Sequence, residues 1–174
     1  MLVGIDEAGR GALAGPLFLA ACELYKPLKL IDDSKKLSER IREKLYEEII
    51  SNSNYLILAF SNMQIDTLGL SKCLQKGLEI INSHFERKRK IFDGNTNYGV
   101  LGIENLIKAD SLIAEVSAAS ILAKVSRDRV MKFLALKYPQ YGFEIHKAYG
   151  TKNHRERIVK YGACELHRKS FKLI

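Results

Sequence analysis

The chain has 174 residues, 47% hydrophobic and 28% charged, with a net charge of +8. That is enough chain for one domain with a substantial core. Its longest apolar runs, near 17–22 and 55–60, have the length of strands and are too short to span a bilayer. No secretory leader is expected, because Asp6 and Glu7 interrupt the start. Cys22, Cys73 and Cys164 are widely spaced and form no C-x-x-C pair, which excludes a disulfide framework or a cysteine zinc site and fits a reducing cytoplasm.

Residues 2–7 read as a buried strand ending in two adjacent carboxylates, Asp6 and Glu7, before Gly9-Arg10-Gly11. Successive strand side chains point to opposite faces, so these acids are expected to share a site only if the strand ends or kinks there. The stretch Gly9 to Ala14, with Asp32 and Asp33 about twenty residues on, also matches a dinucleotide-binding fingerprint. That reading fails on context, because a helix should open inside the glycine motif and a second strand, 16–24, follows instead. The two strands are expected to pair antiparallel.

A polar loop carrying Asp32, Asp33, Lys35 and Lys36 leads to Ser38, a fair N-cap for a helix with Ile41, Leu45 and Ile49 on one face. Residues 54–62 read as a third strand and 64–86 as one helical stretch. The basic quartet Arg87–Lys90 flanks a strand whose apolar part is Ile91-Phe92, ending at Asp93. Taken alone, Asp93 is a turn residue. Residues 103–109 suggest a further strand ending at Asp110-Ser111, either of which can cap a long helix running to Tyr138. The small residues Ser117–Ser120 and Ala123 imply close packing of that helix on the sheet, and Pro139 ends it. A last short helix is expected near 152–161.

Three places share one pattern, a carboxylate at the end of a short apolar strand: Asp6-Glu7, Asp93 and Asp110. Four converging carboxylates repel unless divalent cations neutralise them. Oxygen-only ligands suit Mg²⁺ or Mn²⁺ rather than zinc. Two such ions about 3.5–4 Å apart clamp the oxygens of a phosphoryl displacement. From His146 to Ile174, eight Lys or Arg stand against Glu156 and Glu165, a net of +6, as expected for a face that meets a polyanion. His146, His154 and His167 match no metal-ligand spacing and are expected on the surface or facing phosphate.

In order, GIDEAGRGALAGP, DDSKKLS, FDGN, KADS, SAASILAKVSRDR, PQYG, HKAYGT and HRKSF resemble the type 2 ribonuclease H family, ribonuclease HII, over nearly the whole chain. The resemblance implies a ribonuclease H-like α/β fold, with a mixed five-stranded sheet flanked by helices and a C-terminal helical extension. It implies one domain over 1–174, with 139–174 as a basic substrate-binding segment. Asp6, Glu7, Asp93 and Asp110 fall on the family's catalytic, metal-binding acids. Gly9-Arg10-Gly11 fall on the backbone that reads a ribose 2′-hydroxyl, and Tyr149 on the tyrosine that packs on the sugar. The implied reaction is hydrolysis on the 5′ side of a ribonucleotide, in an RNA–DNA hybrid or a DNA duplex with embedded ribonucleotides. One ion is expected on Asp6, Asp93 and Asp110, and a second on Asp6, Glu7 and substrate. The C-terminal cations, with Lys35, are expected on backbone phosphates.

Ala12, Ala148 and Gly150 depart from the family pattern, which has proline, glycine and proline there, and the C-terminus is shorter than in relatives with a partner-binding tail. A cytoplasmic monomer with no membrane association is expected. A non-catalytic duplex binder and a nuclease for DNA junctions are the competing readings.

Overall fold

The computed structural model describes residues 1–28 and 37–174. Lys35, with Asp32, Asp33 and Lys36, lies outside the described residues. In chain order the elements are β1 (Leu2–Ala8), β2 (Leu17–Leu24), α1 (Glu39–Ser51), β3 (Ser53–Phe60), α2 (Asn62–Leu68) and α3 (Leu70–His84). They continue with β4 (Arg89–Asp93), β5 (Glu104–Leu106), α4 (Ala114–Lys137), α5 (Phe143–His146) and α6 (Lys152–Tyr161). The strands form one five-stranded sheet in the order β3-β2-β1-β4-β5. β1 pairs antiparallel with β2, as expected, and parallel with β4. β3 joins β2 antiparallel and β5 joins β4 parallel, which makes the sheet mixed.

Strand alternation sorts the core into two layers. Val3, Ile5, Leu17 and Leu19 face α3, against Leu74, Leu78 and Ile81. Ala8, Phe18, Ala20 and Cys22 face α1 and α4, against Leu45, Ile49, Ala118, Ala119 and Ala123. The run of small residues therefore lets α4 lie close along the centre of the sheet. Ser38 caps α1 by accepting from the Ile41 amide. The three cysteines are free thiols. No described helix is long and apolar enough to cross a membrane.

Three expected elements are redrawn. The helix expected over 64–86 is two, because Gly69 takes φ 84° and ψ 149°, which helical backbone cannot follow. The strand expected to run to Ala109 stops at Leu106, and Lys108, at φ 59°, turns the chain into a 3₁₀ turn, Ala109–Ser111. Asp110 thus sits in that turn rather than at a strand end. Neither Asp110 nor Ser111 caps α4, whose N-cap position is Ile113 with no side-chain cap.

Three of the basic quartet serve the sheet. Lys88 pairs with the buried Glu23, Arg89 pairs with Glu104 at 2.8 Å, and Lys90 donates to the Lys88 carbonyl at 2.7 Å. Beyond α6, capped by Thr151, the chain returns to the Gly-rich loop. There Gly15 N–H donates to Leu166 O at 2.9 Å and Arg168 N–H to Leu13 O at 2.8 Å.

Candidate active site

The parallel register of β1 and β4 builds the core of the site. The last paired residues are Ile5 and Phe92. One step further along each strand come Asp6 and Asp93, side by side on the face covered by α4. Asp110 arrives from the 3₁₀ turn, which is tied to β4 by the Ala109 amide donating to Asp93 Oδ1 at 3.3 Å. Carboxylate oxygens of Asp6, Asp93 and Asp110 all lie within 4.8 Å of one another. Asp6 and Asp110 are buried and Asp93 is partly so.

Glu7 stands apart from that triad. β1 neither ends nor kinks at the acids, since the ladder continues to Ala8↔Phe18. The condition for Asp6 and Glu7 to share one face, a strand end or kink at that point, is therefore not met. Alternation sends Glu7 to the other face, and Arg10 Nη1 lies 3.6 Å from its Oε1. Glu7 Oε2 is buried and meets no hydrogen-bond donor among the described residues. Asp93 is still near enough for its charge to act on Glu7.

Burial, then the Glu7 charge, pushes the Asp6 carboxyl well above the ordinary aspartate range, opposed by a hydrogen bond from Ser120. Burial also raises Glu7, with Arg10 pulling it down and Asp93 pushing it up. Such a cluster holds its full negative charge only with a cation present. Three close carboxylates with no nitrogen or sulfur donor fit a hard divalent ion such as Mg²⁺ or Mn²⁺.

Tyr149 reaches this region through its hydroxyl, which accepts the Gly9 amide at 3.1 Å. Gly9 has φ 90°, and a Cβ there would lie 2.0 Å from Arg127 Nε, so both backbone and space demand glycine. Gly11 differs: an added Cβ would meet nothing within 4 Å. A cleft of about 240 Å³ opens beside the acids, lined by Glu7, Arg42, Ser120, Lys124 and Tyr149 among others. Lys124 Nζ lies 5.8 Å from the Tyr149 ring centre and 2.8 Å from Asp128 Oδ1.

Ser120, Lys124, Arg127 and Arg42 were not singled out from the sequence. Ser120, Lys124 and Arg127 recur at intervals of four and three on α4, which a helical reading of SAASILAKVSRDR could have placed on one face.

Of the three histidines singled out in the sequence, His154 and His167 are not on the surface and His146 is partly buried. His154 and His167 are fully buried, with Nε2 atoms 3.2 Å apart, and His146 stacks on His154 at 4.5 Å. Burial pushes His154 down to about 4 and lowers His167 as well, so both stay neutral. A consistent set of tautomers follows. The Cys164 amide donates to His167 Nδ1, His167 Nε2–H to His154 Nε2, and His154 Nδ1–H to the Tyr149 carbonyl, at 2.9, 3.2 and 3.0 Å.

The C-terminal charge is also partly spent inside. Arg168 is buried, Arg157 donates to Gln140 O, and Arg155 donates to the carbonyls of Lys172 and Leu173. Lys152, Lys160, Lys169 and Lys172 remain exposed.

A mixed sheet with carboxylates gathered where parallel strands end, covered by one long helix, defines a ribonuclease H-like protein. The ribonuclease HII family model matches residues 3–174, and the chain belongs to that family. It is 66% identical over 174 residues to a ribonuclease HII of Campylobacter jejuni, covering 99% of this chain and 91% of the relative. It is 53% identical over 172 residues to a ribonuclease HII of Sulfurovum sp., covering 99% and 92%. Among solved structures, the ribonuclease HII in a PCNA complex from Archaeoglobus fulgidus matches with a TM-score of 0.82 at 28% identity, covering 97% of this chain and 92% of that one. The ribonuclease H2 of Pyrococcus horikoshii also gives 0.82, at 26% identity, covering 99% and 94%. The protein is a ribonuclease H enzyme.

Proposed function

We propose that the enzyme hydrolyses the phosphodiester on the 5′ side of a ribonucleotide, in RNA–DNA hybrids and in DNA duplexes with embedded ribonucleotides, leaving 5′-phosphate and 3′-hydroxyl ends. The observation that carries this reading is the convergence of Asp6, Asp93 and Asp110 within 4.8 Å beside a cleft. Two Mg²⁺ or Mn²⁺ ions, held by these acids with Glu7, would supply Lewis acidity toward the phosphate and lower the pKa of water.

The chain's own groups do the rest. Ser120 steadies Asp6 by a hydrogen bond. The backbone of Gly9, Arg10 and Gly11 approaches the ribose, where a 2′-hydroxyl separates RNA from DNA, and the Tyr149 ring packs on the sugar. Lys124 and Arg42, from the walls of the cleft, hold phosphates. Lys35 and the exposed lysines of 139–174 extend that contact along the backbone and fix register without reading sequence. The reading places the enzyme in the cytoplasm as a monomer, acting in removal of ribonucleotides from DNA.

The test is a DNA duplex with one embedded ribonucleotide, with and without divalent ion. Cleavage on the 5′ side of that residue only with metal is expected, falling at least about a hundredfold in Asp93→Asn while the protein still folds. Binding without cleavage would favour the non-catalytic reading, and equal cutting of an all-DNA duplex would favour a junction nuclease.

A further inference from the structure

We propose that Arg168 and Arg127 are positioning residues, two buried guanidinium groups that grip the carbonyls of the 10–16 loop from beneath and turn the Gly11 amide outward to meet the ribose. This rests on the reading that the Gly9–Gly11 backbone meets the 2′-hydroxyl.

Both arginines are fully buried. Arg168 donates from Nη1 to Arg10 O at 3.0 Å and from Nε to Gly15 O at 3.1 Å. Arg127 donates to Pro16 O at 2.9 Å, to Ala14 O at 3.2 Å and to Lys147 O at 2.9 Å. Four carbonyls of one short loop are thus held by two charges from distant parts of the chain. Among the described residues neither arginine is hydrogen-bonded to a carboxylate, and Arg168 Nη2 meets no acceptor. Each positive charge also opposes the other. Burying two like charges together under a loop is a costly way to gain stability alone.

The loop gains a fixed orientation from this arrangement. In a trans peptide the carbonyl and the following N–H point in opposite directions. Holding Arg10 O against Arg168 therefore aims the Gly11 N–H away from the interior. Space for a Cβ is open at Gly11, so that face is clear for a ligand. Gly9 N–H is already given to Tyr149, whereas Gly11 N–H has no acceptor among the described residues. A cation on the carbonyl also polarises the peptide and strengthens its N–H as a donor. The ligand that uses it is a sugar hydroxyl, present on RNA and absent from DNA.

The test is binding of a one-ribonucleotide duplex and its all-DNA counterpart in EDTA, where neither is cut. Lysine keeps the charge but cannot span two carbonyls. Arg168→Lys is expected to reduce the preference for the ribonucleotide about tenfold, with all-DNA affinity changed less than twofold. A parallel loss of both affinities marks a merely structural role and overturns the proposal. Wild-type preference that survives in Arg168→Lys overturns the proposal alone. Absence of preference in the wild type sinks the ribose reading as well. Should the variant fail to fold, amide exchange of the wild type decides. The Gly11 amide is expected to exchange about tenfold more slowly with the ribonucleotide duplex than with all-DNA, and equal rates refute the proposal.

Discussion

Asp6 concentrates the electrostatic problem of the site in one residue. Its carboxyl is buried among like charges and held well above the ordinary aspartate range. A raised carboxyl value in the folded state means that the protein binds more protons folded than unfolded. Stability from this group is therefore present below the unfolded value of about 3.9 and is lost as pH rises through the folded value. In metal-free protein this contribution runs against that of the buried neutral His154 and His167, which favour neutral pH, so it is isolated by comparing wild type with a variant at each pH. Asp6→Asn, which removes the ionisation, is expected to raise the melting temperature in EDTA at neutral pH while abolishing cleavage. Added Mg²⁺ should stabilise the wild type and leave the variant unmoved. Thermal melts with and without chelator read both effects. An aspartate chosen for fold alone would give the opposite ranking.

Among the elements, the loop 147–150 shows how far local sequence could be read. Ala148 stands where the family pattern has glycine, and the structure gives it φ 65°, with Lys147 before it at φ 50°. Two consecutive non-glycine residues in the left-handed region are strained, at about 1–2 kcal/mol each. The loop holds its shape because Arg127 takes the Lys147 carbonyl and Leu13 N–H donates to the Ala148 carbonyl at 2.8 Å. Ala148→Gly relieves that strain but gives up a buried methyl group worth about 0.8 kcal/mol. It is expected to stabilise by up to about 1 kcal/mol, read as a higher urea midpoint, with cleavage little changed. Periodicity and caps made β1, β2, α1 and α6 legible in advance. The break at Gly69 and the left-handed Lys108 were not legible, because each is a single-residue backbone choice inside an otherwise periodic stretch. Asp110 could be picked out as a residue but not placed, since its position depends on a 3₁₀ turn tied to β4.

Across the whole molecule, the convergence of Asp6 and Asp93 could be anticipated from apolar strands ending in carboxylates. Their sharing of one face could not, because that follows from the β1–β4 register and from α4 lying over it. The roles of the histidines and arginines were also hidden. Charge composition suggests an exposed basic tail, whereas His167 and Arg168 pack under residues 13–15, more than 150 positions earlier in the chain. A chain lacking residues 163–174 is expected to keep its carboxylates but lose preference for a ribonucleotide duplex and melt at a lower temperature. Binding to ribonucleotide and all-DNA duplexes, together with a melt, checks this. The same stapling sets an order of events at the ribosome. The glycine segment is among the first parts translated, yet the groups that shape it come more than a hundred codons later. A polypeptide made only as far as Asp110 thus carries the acids without the gauge that recognises their target, and competence arrives only when the distal stretch has been threaded out and docked.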